Sequence, residues 1–351
     1  MTFFPASSLA APMAAGRDAA GSPAPSPGLR SEDPIVADRI VHSYDGRTRA
    51  LDGVSFSVRR GEVYGLLGRN GAGKSTLIKA MTTLIAPTGG RLSILGLDPR
   101  HDGRRIRERI GVVQQGESFD FSSVQGNLDI YGILWGVPRD ERVRRREALL
   151  RKFGLTELRA RRSFDLSGGQ KRRVQVAREF MHDMDLLFLD EPTVGLDVLM
   201  RRTLLDSIRD EVRRGLTVVF TTHNLEEADY LCDRVAVIEA GRIVVEDSVA
   251  ALKRRYSGKK TIDVTADADH AEAFFRALGP ALGDAATVTV RGTSATVLTD
   301  GAKAGLDAIL DVARTTGTSL EWLTVREKTL EDVFLQTVGP EAEERGGADA
   351  R

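Results

Sequence analysis

Three short stretches hold residues whose types and spacing could do chemistry. In "GRNGAGKST", residues 68–76, Gly68, Gly73, Lys74 and Ser75 satisfy the pattern G-x-x-x-x-G-K-[ST]. Glycines let the backbone curl so that successive N–H groups point inward as an anion nest, and the helix that must follow offers its positive end. Lys74 adds a point charge suited to the β- and γ-phosphates of a nucleotide, and the Ser75 hydroxyl is a ligand for Mg²⁺. In "DLLFLDE", an apolar run ends on Asp190 and Glu191. A buried strand there would deliver Asp190 to hold Mg²⁺ through water and Glu191 to take a proton from an attacking water. In "LSGGQ", residues 166–170, Ser167, Gly168 and Gly169 make a second phosphate-sized nest at a second helix start. One nucleotide does not need two such cradles from one side of one polypeptide.

Regular elements must position these groups. Between Ile35 and Leu67, β-like runs separated by turn residues predict antiparallel strands leading into a first core strand. After Gly73 a helix is expected, with Leu77, Ile78 and Met81 at helical spacing. "DLLFLD" and "LTVVFTT" read as strands buried on both faces of a parallel sheet, and between them Leu204, Leu205, Ile208 and Val212 share one helical face. Strand, helix, strand alternation predicts an α/β sandwich around a mostly parallel sheet. Residues 116–166 break it with helical texture, including "PRDERVRRREALLRKFG", in which Leu149 and Phe153 lie under a basic face. Those arginines read either as a solvated face with local ion pairs or as a rim that docks a partner. From 256 to 338 the texture spells βαββαβ, a split-βαβ arrangement and hence a second, small α+β domain. The expected organisation is a tail at 1–33, a nucleotide-binding domain at 34–255, an accessory domain at 256–338 and a tail at 339–351.

Composition narrows the partners. The 351 residues include 50 Lys and Arg against 50 Asp and Glu, so no net field draws the chain to nucleic acid or an anionic membrane. With 41% apolar and 28% charged residues, the chain suits a globular protein. No apolar run approaches the ~20 residues needed to span a bilayer, so any membrane role would run through a partner. Cys232 is the one cysteine, expected as a small core residue. The Ala-, Pro- and Ser-rich start has no basic n-region and is interrupted by Pro5 and Pro12, which argues against a signal peptide.

"GRNGAGKST", "LSGGQKRRVQVAREF", "LLFLDEPTVGLD" and "TTHNLEEADYLCDRV", in this order and spacing, resemble the Walker A, signature, Walker B with D-loop, and H-loop of an ABC transporter nucleotide-binding domain over about residues 35–250. The resemblance implies the fold: an ABC-type P-loop NTPase domain with a mostly parallel sheet, an antiparallel β subdomain and a helical subdomain. It also implies ATP and Mg²⁺ as cofactors, and a site shared by two ATPase subunits, the signature of one closing over ATP held by the Walker A of the other. Carried over residue by residue, Gly68, Asn70, Gly71, Gly73, Lys74, Ser75 and Thr76 surround the phosphates, while Tyr44 stacks on adenine. Ser167, Gly168, Gly169 and Gln170 belong to the second cradle, and Asp197 is the D-loop aspartate at the dimer seam. Gln115 matches the glutamine that reaches Mg²⁺ and water, with Gln114 beside it as an alternative register. Asp190 and Ser75 complete the metal ligands, and His223 joins Glu191 as the residue that bonds the γ-phosphate. Two positions depart from the family pattern: Arg69 stands where proline is common and Gly126 where glutamate is common.

The ending "EKTLEDVFLQTVG", residues 327–339, resembles that of the daunorubicin-type drug-resistance exporter ATPases. The implied function is ATP hydrolysis that powers export of a small hydrophobic compound through a separate integral-membrane permease, from a peripheral position on the cytoplasmic face of the membrane. The alternatives are the motor of an importer or of a polysaccharide or lipid exporter, or a non-transport ABC protein. The plain reading of Leu330, Val333 and Phe334 is packing on the small domain.

Overall fold

The computed structural model describes residues 30, 32–116, 122–255, 260–283, 286–326 and 329–338. The tails expected at 1–33 and 339–351 lie outside these, except for residues 30, 32 and 33. The chain opens with β1 (Ile35–Ser43), β2 (Arg49–Val58), β3 (Val63–Leu67), α1 (Lys74–Met81) and β4 (Gly89–Ile94). Then come α2 (Gly103–Arg107), β5 (Ile110–Val113), α3 (Val124–Leu134), α4 (Arg139–Lys152), α5 (Gly168–Glu179), β6 (Leu186–Asp190), α6 (Val198–Arg213) and β7 (Thr217–Thr221). The ATPase part ends with α7 (Leu225–Leu231), β8 (Arg234–Glu239), β9 (Arg242–Ser248) and α8 (Val249–Arg255).

Three sheets result. The central one has six strands in the order β5-β6-β7-β3-β8-β9, parallel except for β9, which returns antiparallel on β8. Its inner strands β6, β7 and β3 are almost wholly apolar and buried because both faces are covered, whereas the edge strand β9, RIVVEDS, buries only Val245. Leu186 and Phe188 enter the layer shared with α1 and the three-stranded antiparallel sheet β2-β1-β4, whereas Leu187 and Leu189 enter the layer beneath α5, α6 and α7. The antiparallel pairing of β1 with β2 and the helix after Gly73 match expectation, with Leu77, Ile78 and Met81 buried. The hairpin β8-β9 and strand β4 were not legible as strands in the sequence, since β4 begins Gly-Gly-Arg and buries only Leu92 and Ile94.

The arginines of α4 are laced to acids of the same helix and of neighbouring segments. Arg146 pairs with Asp129 at 2.7 Å and with Glu147 at 3.0 Å, while Arg145 reaches Glu141 and Asp183. Beneath them Leu149, Leu150 and Phe153 are buried. Gly126 has a local reason. A Cβ there would lie 3.1 Å from Ser122 Cβ and 3.2 Å from Ser123 Oγ, the cap of α3 that accepts the Gly126 N–H, so a side chain would crowd this helix start. Cys232 is buried, and its Sγ would lie 2.7 Å from any Cβ at Gly65. Burial pushes that thiol far above its ordinary range.

The C-terminal part comprises β10 (Lys260–Ala266), α9 (Ala271–Leu282), β11 (Ala286–Arg291), β12 (Ser294–Thr299), α10 (Ala302–Thr316) and β13 (Leu320–Arg326), with strands in the antiparallel order β11-β12-β10-β13. Ile262, Val264 and Val297 meet Phe274, Leu278 and Ile309 in a core of their own. The last helix, α11 (Leu330–Val338), departs from expectation: Leu330 and Val333 join the ATPase core beside α7 and α8 rather than the small domain. Helices α9 and α10 pack on the apolar face of the small sheet, while the stripe on α11 packs on the ATPase core.

One buried acid gives the fold a pH signature. Glu179 at the end of α5 accepts the Val112 N–H at 3.3 Å and lies 3.6 Å from Arg178, and burial raises its carboxyl from the ordinary 4.5 to about 7. The folded state therefore keeps a proton that the unfolded chain releases. That contribution to stability is complete below pH 4.5 and disappears as pH rises through 7. E179Q removes the titration. We expect urea unfolding to show E179Q gaining roughly 3 kcal/mol relative to the wild type between acidic pH and pH 8. A pH-independent difference would contradict the assignment.

Candidate functional site

Strand β3 ends at Leu67, and the chain curls through Gly68–Gly73 before α1 begins. Glycine is required at both ends of the curl. A Cβ at Gly68 would sit 2.3 Å from the Ile238 carbonyl, and one at Gly73, whose φ is 113°, would sit 2.7 Å from the Ala50 carbonyl. Lys74 folds back across the loop, and its Nζ donates to the carbonyls of Gly68 at 2.7 Å and Arg69 at 3.1 Å. Burial lowers its pKa, opposed by the charges of Glu191 and then Asp190. Arg69, Asn70, Gly71 and Ser75 are exposed on the rim, while Thr76 is buried. Tyr44 stands at the edge, 61% exposed, with its hydroxyl 3.3 Å from Thr76 Oγ1 and its ring edge-on to His42.

β6 delivers the two acids. Thr221, at the end of neighbouring β7, donates its hydroxyl to Asp190 Oδ1 at 2.6 Å and receives the Glu191 N–H on the same oxygen at 3.1 Å. Glu191 is 9% exposed and adopts φ of +48°, a left-handed conformation costing roughly 1–3 kcal/mol for a residue with a side chain. That twist turns its carboxylate toward two residues from other loops. Gln115 Nε2 donates to Oε2 at 3.4 Å, and His223 Nδ1 lies 3.3 Å from Oε1. The structure thus brings Gln115, Glu191 and His223 together, and it is Gln115 rather than Gln114 whose side chain reaches the carboxylate.

The second cradle stands apart. Ser167 caps α5 in a reciprocal box with Gln170, and a Cβ at Gly168 would meet open space. Gly169 lies against the turn before α6, since a Cβ on it would come within 2.7 Å of the Gly195 carbonyl. Asp197 caps α6, accepting the Met200 N–H at 2.9 Å. Among the described residues no hydrogen bond or ion pair links 167–170 to 68–76.

Two buried residues went unread in the sequence. Glu227 accepts the hydroxyls of Thr193 and Thr222 at 2.8 and 2.9 Å, tying the segment after Glu191 to the one before His223. Arg172 on α5 reaches the backbone on both sides of Glu191. Burial lowers the pKa of this arginine, opposed by Asp190 and Glu191. The signal available was three basic residues in a row, "KRR", in which nothing marks the inward-facing one.

A Gly-lined loop at a helix start, two acids ending a buried parallel strand, and a second capped glycine nest define a P-loop nucleotide hydrolase of the two-cradle kind. Comparison with known proteins agrees. Residues 51–194 match the family described as ABC transporter. The chain is 36% identical over 322 residues to the daunorubicin/doxorubicin resistance ATP-binding protein DrrA of Streptomyces peucetius, a match spanning 90% of this chain and 96% of that one. It is 32% identical over 308 residues to the linearmycin resistance ATP-binding protein LnrL of Bacillus subtilis, covering 87% and 98% respectively. A solved ATP-binding subunit of an ABC transporter superposes with a TM-score of 0.60 at 27% identity, over 63% of this chain and 92% of its own. The chain therefore belongs to the ABC transporter family as an ATP-binding, ATP-hydrolysing subunit. No described helix is long and apolar enough to cross a membrane.

The Thr221 hydroxyl is the hinge of this geometry, so T221V should lower stability by about 1–3 kcal/mol by leaving Asp190 Oδ1 without its donor. Urea titration of wild type and T221V reads the difference. Equal midpoints would show that the bond contributes nothing.

Proposed function

We propose that this ATPase works as a pair of identical chains, powers export of a small hydrophobic compound through a separate membrane permease, and sits against the cytoplasmic face of the membrane by way of that permease. The observation that carries the catalytic reading is the convergence of Gln115 and His223 on the Glu191 carboxylate, within electrostatic range of Lys74. Gly68, Asn70, Gly71, Gly73, Lys74, Ser75 and Thr76 hold the phosphates, with Tyr44 placed to stack on the adenine. Glu191 takes the proton of the attacking water, and His223 donates to the γ-phosphate. Phosphate oxygens replace the two backbone carbonyls that Lys74 now bonds, exchanging neutral acceptors for charged ones.

Mg²⁺ fits the donor set. Such an ion takes one or two carboxylates plus phosphates and keeps water, and Asp190 with the Ser75 hydroxyl offers that kind of donor. Ser75, Asp190 and Gln115 would hold it, and its chemistry there is to offset charge on the β- and γ-phosphates. In the second cradle Ser167 and Gly168 are exposed and a Cβ at Gly168 would meet open space, which supports a site closed by the partner chain, with Asp197 at the seam. The exporter reading and the class of cargo rest on relatives named for resistance to daunorubicin, doxorubicin and linearmycin. The balanced charge of the chain supports a protein partner and no nucleic acid.

Binding and chemistry separate by mutation. E191Q should bind ATP with wild-type affinity yet turn over ~100-fold more slowly, whereas K74A should lose most nucleotide affinity. Equilibrium binding of a fluorescent ATP analogue beside phosphate release distinguishes them. Wild-type turnover by E191Q would remove Glu191 from its role.

A further inference from the structure

The guanidinium of Arg172 is buried at the start of α5 and has every N–H it can offer engaged. Nε donates to the Pro192 carbonyl at 3.1 Å, and one terminal nitrogen to the carbonyls of Asp190 at 2.8 Å and Glu191 at 2.5 Å. The other terminal nitrogen donates to the Gln114 carbonyl at 2.6 Å and to Gln175 Oε1 at 3.1 Å. Carbonyls 190, 191 and 192 are consecutive. Three successive carbonyls can face one point only if the chain curls, and the curl is made at Glu191, whose φ is +48°. Aligned carbonyl dipoles repel one another, so the curl needs a cation at its focus. A planar fork with five donors meets that need where an ammonium could not.

The same guanidinium fixes what faces Glu191. Gln114 precedes Gln115, whose side chain donates to Glu191 Oε2, so one side chain holds both the backbone that aims the carboxylate and the backbone that aims its glutamine partner. No bond from Arg172 goes to a carboxylate oxygen of Asp190 or Glu191. We propose that Arg172 is a positioning residue for ATP hydrolysis, sustaining the strained backbone at Glu191 so that the carboxylate lies where it can accept the proton of the attacking water. This rests on the reading of Glu191 as the base. The closeness of Arg172 to Gly168 and Gly169 raises the rival role of shaping the second cradle, and the test separates the two.

The experiment is a double-mutant cycle on the full chain, read by single-turnover hydrolysis of labelled ATP and by ATP trapping. R172Q keeps a polar group but loses the fork. It should reduce the hydrolytic rate ~100-fold while moving KM less than ~2-fold, as expected when a reacting group is displaced and binding is spared. On the E191Q background, where the carboxylate is already absent, R172Q should cost no more than ~3-fold further and leave trapped ATP unchanged. If R172Q costs the same factor in both backgrounds, or abolishes trapping on E191Q, Arg172 acts through the cradle or the fold at large and the proposal falls. Wild-type turnover by R172Q overturns it too. If E191Q itself turns over normally, the base assignment fails instead, a different and recognisable outcome. R172K, which keeps charge and stem without the fork, carries the same readings if R172Q is not recovered folded.

Discussion

The end of the buried strand Leu186–Asp190 sets the terms for the rest of the site. Two carboxylates emerge there where solvent is scarce, close enough to Lys74 to influence its titration. A polar group in such a place has to find its hydrogen bonds within the protein. The chain meets this demand with Thr221 on Asp190, Gln115 and His223 about Glu191, and Arg172 against the backbone behind them. Each supporter comes from a different segment, which is why the parallel sheet matters: it brings β6, β7 and β3 side by side with their C-terminal ends level.

The second constraint is separation. Both glycine nests are built by ordinary means, close backbone approach at Gly68 and Gly73 and a reciprocal cap at Ser167 and Gln170. A phosphate bound at the first has its Lys and its acids beside it, while the second has open space above Gly168. The D-loop turn joins them indirectly. Gly195 packs on Gly169 at one end, and Thr193 is tied through Glu227 to the segment bearing His223. Packed and hydrogen-bonded contacts thus run from the second cradle to the segment bearing His223 within one chain.

The phosphate loop, the acid pair and the second glycine nest were legible in the sequence because their chemistry is local, whereas Tyr44, Gln115, Asp197 and His223 were reached only through the family resemblance. The phosphate loop needs glycines at set spacing, and a strand that ends in two acids is visible as an apolar run. The unread parts depend on distant partners. Arg172 and Glu227 look like surface residues of charged helices, and only the fold shows that they point inward. Strand β4 is too polar to announce itself, since only Leu92 and Ile94 face a core. Likewise the apolar stripe of α11 could be read, but not its complement: Leu330 and Val333 join Ala228, Leu231 and Leu252 in the ATPase core, a choice of surface that only the fold reveals.

If a working site takes its phosphate loop from one chain and its second cradle from another, a mixed dimer will reveal it. One chain carries K74A with its second cradle intact. The other carries G168D with its phosphate loop intact, the aspartate entering open space and so acting on the ligand rather than on the fold. With E191Q in both chains to prevent turnover, each mutant alone has two defective sites, whereas a mixed dimer has one with both lesions and one with neither. Labelled ATP should be retained at one site per mixed dimer and by neither parent. Verified mixed dimers that retain no more ATP than the separate mutants would contradict the shared site.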